Sequence, residues 1–237
     1  MYYPMYYRMD PTYVLVLIGV VLSLLASAKV KSTFSRYQRV RSSIGLTGRE
    51  AAERVLHGAG IYDVRIERVS GNLTDHYDPR SKVLRLSDST YNSASVAAIG
   101  VAAHECGHAI QHATNYAPVR WRGSLVPIAN FGSTIAWPLI LIGLFITGRS
   151  SSLMINLGIL AFSFAVLFHL VTLPVEFNAS NRAIRILGSS GMMSREEVGA
   201  VKKVLGAAAL TYVASAATAI LQLLRILILT GGRRDDD

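Results

Sequence analysis

Four long stretches of this chain carry no charge. No Asp, Glu, Lys or Arg occurs between Asp10 and Lys29, Arg122 and Arg149, Arg149 and Glu176, or Lys203 and Arg225, leaving gaps of 18, 26, 26 and 21 residues. Each approaches or exceeds the ~20 apolar residues with which an α-helix crosses a bilayer. In hydrocarbon the backbone must satisfy its own donors and acceptors, so each run has to be helical. Only 16% of the residues are charged and 51% are hydrophobic, against about 25% charged in an ordinary soluble domain. The single cysteine, Cys106, excludes an intramolecular disulfide framework. The expected fold is a mainly α membrane protein with about four transmembrane helices, near residues 11–28, 124–147, 153–173 and 205–224.

Sidedness follows from where the lysines and arginines lie. Of 24 basic residues, 14 fall in 29–123 and 5 in 174–204. Four crossings put both segments on one side, and the positive-inside rule makes that side cytoplasmic. The same distribution argues against a nucleic-acid partner, because the basic residues flank the apolar runs. The expected organisation is an N-terminal tail and first span (1–28), a cytoplasmic segment (29–123), a transmembrane hairpin (124–173), a second cytoplasmic segment (174–204), and a fourth span with its tail (205–237). Tyr2, Tyr3, Tyr6 and Tyr7 would sit in the outer interfacial belt. Arg225, inside the last run, is expected to snorkel to the outer interface.

The cytoplasmic segments read as a small α+β domain. Thr47-Gly-Arg-Glu50 and Ser194-Arg-Glu-Glu197 are capping-box patterns that open helices. Val64–Val69 and Val83–Leu86 alternate as half-buried strands, and the turn-rich stretch 70–82 joins them as a hairpin with a long loop. Asn92 or Ser93 should cap an alanine-rich helix running from Ala94 to about Ala113.

That helix carries His104-Glu105-Cys106-Gly107-His108 among uncharged neighbours. Residues four apart share a helix face, so both imidazoles can reach one Zn²⁺. Glu105, beside them, can take a proton from the attacking water and return it to the leaving amine. A catalytic zinc wants a third protein ligand. His112 lies about 12 Å along a straight helix from His104, too far to share the ion. His169 is inside the third run, and Glu176 stands just past it, at the face that already holds the two histidines. Glu176 is the favoured third ligand. His76 and Tyr77 are candidates to hold the developing oxyanion, although a turn closed by Asp78-Pro79 explains the same residue types. Cys106 reads as a small core residue.

The stretches Leu73–Arg80, Val83–Ser87, Ala103-His-Glu-Cys-Gly-His-Ala-Ile-Gln-His112 and Leu173-Pro-Val-Glu-Phe-Asn-Ala-Ser180 resemble the YugP-like neutral zinc metallopeptidases. These are membrane gluzincins similar in pattern to HtpX-type and CAAX-type proteases. The resemblance covers most of residues 12–225. It implies a zincin-like catalytic domain, one Zn²⁺ per chain held by His104, His108 and Glu176, Glu105 as base, and a protein or peptide substrate. The chain departs from these patterns at two positions: HtpX-type enzymes carry aspartate four residues after the glutamate ligand, where this chain has Ser180, and the YugP-like pattern has aspartate where this chain has Asn178. Asn178, Ser180 and His112 are accordingly the residues expected to support the ligands from behind. The expected function is an integral-membrane zinc metalloendopeptidase of the cell membrane with a cytoplasmic active site. The alternative is a zinc-binding membrane scaffold or inactive pseudo-peptidase. A metal transporter is disfavoured for want of a polar pathway through the apolar runs. Strand 83–86 is the expected edge for pairing with extended substrate.

Overall fold

A computed structural model describes residues 10–231; the N-terminal tyrosines and the arginines at 233 and 234 lie outside the described residues. The elements run α1 (Tyr13–Gln38), α2 (Gly48–Gly58), β1 (Arg65–Val69), β2 (His76–Asp78), β3 (Val83–Ser87), α3 (Asp88–Tyr91), α4 (Val96–Ala113), α5 (Ala117–Phe145), α6 (Arg149–Ser189) and α7 (Arg195–Gly231). The fold is mainly helical, and α1, α5, α6 and α7 are each long and apolar enough to cross a membrane, as the uncharged runs require. Their helices extend well beyond those runs, because nothing in the flanking polar sequence breaks them. The chain divides into two compact units.

The first unit takes in Leu125–Leu170 with the described residues up to Leu25 and from Ala214. Large apolar side chains such as Leu17, Leu24, Phe131 and Phe145 face outward, the pattern expected of helices that cross a bilayer. Small residues let the helices touch: a Cβ at Gly132 would collide with the Ala161 carbonyl, and Thr218 Oγ1 donates to the Gly19 carbonyl at 3.2 Å. Arg225 is not left to solvent. Its guanidinium lies 3.7 Å from Asp10, donates to Thr12 Oγ1 at 3.3 Å, and covers the Tyr13 ring at 4.4 Å.

The second unit, Ala26–Ser124 and Val171–Val213, contains the sheet. Its order is β1-β3-β2, with β1 parallel to β3 from Arg65↔Val83 to Val69↔Ser87, and β2 antiparallel to β3. The expected hairpin of 64–69 with 83–86 is therefore wrong. The stretch taken as its loop supplies a strand of its own, and the true hairpin is β2–β3. Asp78 makes that turn by accepting from the Arg80 amide at 2.9 Å and from Ser81 Oγ. With one edge of β3 filled by β2, β1 takes the other, and the intervening crossover makes the pair parallel. Asp75 pins the connection by accepting from the Ser87 amide and hydroxyl, both at 2.8 Å.

Both capping boxes form. Thr47 Oγ1 accepts from the Glu50 amide while Glu50 accepts from the Thr47 amide, and Ser194 and Glu197 do likewise at 3.2 and 2.8 Å. Helix α4 is capped by Ser95 and not by Asn92 or Ser93. Asn92 is instead used as the C-cap of the short α3. The core joins Leu56 of α2, Leu84 and Leu86 of β3, Ile99 of α4, Leu187 of α6 and Val201 of α7.

Candidate metal centre

Helix α4 approaches α6 closely because its contact positions are small. At Gly107 a Cβ would stand 2.6 Å from the Ala179 carbonyl oxygen of α6. That approach brings the two histidines, one turn apart on α4, against Glu176 of α6. The imidazoles of His104 and His108 lie nearly perpendicular, with centroids 4.8 Å apart. Their Nε2 atoms are 3.4 and 3.5 Å from one oxygen, Glu176 Oε2. Among the described residues these three side chains form the group close enough to share a metal ion; it includes neither His112 nor His169.

The donor set is poorly explained without a cation. Glu176 is 3% exposed, and among the described residues its Oε2 has no hydrogen-bond partner. Burial alone would raise its carboxyl, yet the two imidazoles hold it well below the usual carboxylate range. A buried, ionised oxygen facing two imidazole nitrogens is costly unless paired. Two histidines and one carboxylate, leaving further positions open, is the ligand set of a catalytic zinc site. The residues therefore fit the metal.

Behind the donors stand polar partners. Ser180 Oγ lies 3.1 Å from His104 Nδ1. Asn178 does not touch a histidine: its Oδ1 accepts from Gln111 Nε2 at 3.0 Å and from Arg182 Nε at 2.7 Å. Gln111 in turn places Oε1 3.0 Å from His108 Nδ1. His112 supports no donor atom of the trio. Its Nδ1 is 3.0 Å from the Tyr77 hydroxyl.

A cleft of about 200 Å³ opens beside the trio, lined among others by Tyr77, Glu105, His108, Glu176, Arg122 and Tyr212. Glu105 is buried there, on the same helix as the histidines. Burial first, then Asp63 and Asp78, push the Tyr77 phenol up, so it remains a hydrogen-bond donor at neutral pH. His76 also lines the cleft, but its ring is engaged, with Nδ1 2.9 Å from the Thr74 carbonyl and Nε2 3.5 Å from Arg85 Nη1. Cys106 is fully buried in the core, and burial raises its thiol well above the ordinary value.

The sequence assigns no role at the site to three of its residues. Gln111 was within reach of it, three residues after His108 on the same helix. Arg122, whose Nη1 is 3.4 Å from Glu176 Oε1, looked like one more flanking positive charge. Tyr212 sits inside an uncharged run and carried no local signal.

A family model described as "Putative neutral zinc metallopeptidase" matches residues 12–231. The chain is also similar to "Putative membrane protease YugP" of Bacillus subtilis (strain 168), with 48% identity over 216 residues, covering 91% of this chain and 95% of that protein. No solved structure matches.

Proposed function

The chain belongs to the neutral zinc metallopeptidase family, and on that premise we propose that it is an integral-membrane zinc endopeptidase whose active site faces the cytoplasm. The observation that carries the reading is the unpartnered, buried Glu176 Oε2 facing both histidine Nε2 atoms beside a cleft that also holds Glu105. His104, His108 and Glu176 would hold the zinc. When bound there, zinc supplies Lewis acidity toward a scissile carbonyl and toward water.

The chain's own residues do the rest. Glu105 accepts the proton of the attacking water and delivers it to the leaving amine as the peptide bond breaks. The Tyr77 hydroxyl donates to the oxyanion that develops on the carbonyl, and His112 Nδ1 orients that hydroxyl. Its engaged ring makes His76 the weaker donor of the two. Extended substrate cannot pair along 83–86, because β3 is the central strand with both edges filled. The free edge of β2, which carries Tyr77 into the cleft wall, takes that role instead. The cytoplasmic orientation and the cell membrane rest on the four apolar helices and on the basic residues concentrated in 29–123 and 174–204.

The test is Glu105→Gln in the full-length protein. The variant should keep zinc in equimolar amount and lose cleavage of a peptide library by about 10²–10⁴-fold, the scale of a lost general base. Zinc binding by both proteins with cleavage by neither would favour the scaffold reading.

A further inference from the structure

We infer that Gln111 is a positioning residue that fixes the tautomer of His108 and ties it to the turn of α6 carrying Glu176. The inference rests on the reading of His108 as a metal ligand.

Gln111 is fully buried and three residues beyond His108 on α4. Its Nε2 donates to the Val175 carbonyl at 2.7 Å and to Asn178 Oδ1 at 3.0 Å. A backbone carbonyl can only accept, so the atom facing Val175 must be the amide nitrogen, and both of its hydrogens are used. The atom left to face His108 Nδ1 is Oε1, which also can only accept. His108 must therefore carry its hydrogen on Nδ1. A neutral ring so protonated presents the lone pair of Nε2, the atom 3.5 Å from Glu176 Oε2.

The orientation is locked from the far side as well. Arg182 Nε can only donate, and it donates to the same Asn178 Oδ1, so the Asn178 amide cannot flip and offer Gln111 a donor. The Arg182 guanidinium is itself packed over the Tyr116 ring at 5.8 Å. Val175 and Asn178 bracket Glu176 in sequence. One buried amide thus selects the metal-facing nitrogen of one ligand and holds the backbone of another. The partner of His104 behaves differently: the Ser180 hydroxyl can donate or accept, so it steadies that ring without choosing its tautomer.

The experiment uses the full chain in detergent with three readouts. In metal-free wild type, ¹⁵N-histidine NMR should show His108 with a hydrogen on Nδ1; a ring whose Nδ1 carries no hydrogen would overturn the inference without any mutation. Zinc affinity by chelator competition should fall about 10- to 100-fold in Gln111→Leu, with kcat reduced and KM little changed. A Gln111→Leu protein binding zinc as tightly as wild type would also overturn it. If wild type bound no zinc, the metallopeptidase reading would fail, while the NMR result would still report on the Gln111–His108 pair.

Discussion

Gly107→Ala is the sharpest probe of how His104, His108 and Glu176 are brought together. The added Cβ would lie 2.6 Å from the Ala179 oxygen and 3.0 Å from its carbonyl carbon and Cα. All three are backbone atoms of α6, so no side chain can swing aside. Ordinary contact begins at 3.4 Å, and α4 and α6 must therefore part by about 0.8 Å, an overpacking that costs about 1–3 kcal/mol. Gly107 directly precedes His108, and Ala179 lies one helical turn beyond Glu176, so the separation passes straight into the ligand spacing. Metal sites tolerate deviations of about 0.2 Å in ligand distance. Zinc affinity should fall by about 10- to 100-fold, or roughly 1.4–2.7 kcal/mol. The assay is chelator competition on detergent-solubilised protein, with thermal unfolding alongside. Gly199→Ala is the control: its Cβ would meet nothing within 4 Å, and Ala in a helix interior should stabilise by about 0.8–1 kcal/mol with zinc binding unchanged. A Gly107→Ala protein with wild-type zinc affinity would refute the idea that the α4–α6 contact sets the donor geometry.

Other outcomes follow from the same contacts. Tyr77→Phe should lower kcat by about 10²–10³-fold while zinc affinity stays unchanged, which separates oxyanion donation from metal holding; an unaltered kcat would remove Tyr77 from the mechanism. Glu197 accepts from the Ser194 amide and from the amide and hydroxyl of Ser43, and although burial opposes it these bonds lower its carboxyl to about 2 from 4.5. Its folded value lies below its unfolded one, so its stabilisation is complete above about pH 4.5 and is lost as pH falls toward 2. Glu197→Gln should flatten the unfolding temperature's dependence on pH across that window, and an unchanged slope would count against the contact. Cys106, buried and with a raised thiol, should resist maleimide in the native protein and react on unfolding, as mass spectrometry would show.

Much of the helical architecture was legible in the chain itself. Absence of charge over 18 to 26 residues leaves the backbone no option but a helix in hydrocarbon, and all four such helices are present. Capping boxes are equally local, since the side chain and the amide it satisfies lie three residues apart, and both form as read. The shared face of His104 and His108 follows from the 3.6-residue period. The order of the sheet was not legible. Alternation shows that 64–69 and 83–86 are extended, but says nothing of which edge each takes, and the three residues of β2 are too few to announce themselves among turn residues.

The centre divides along the same line. Residue chemistry singled out Glu176, and the tertiary structure brings its Oε2 within 3.5 Å of both imidazoles. That meeting depends on Gly107 packing against the Ala179 carbonyl, a contact between residues 72 apart in the chain. Sequence marked Asn178 and Ser180 as supports but could not assign their partners. Ser180 serves His104, whereas Asn178 reaches His108 only through Gln111. The chain alone determines what repeats at a helical period or closes within one turn, because those interactions are decided by neighbours. What lies across the α4–α6 interface is decided by how closely two backbones can approach, and only the folded structure contains that distance.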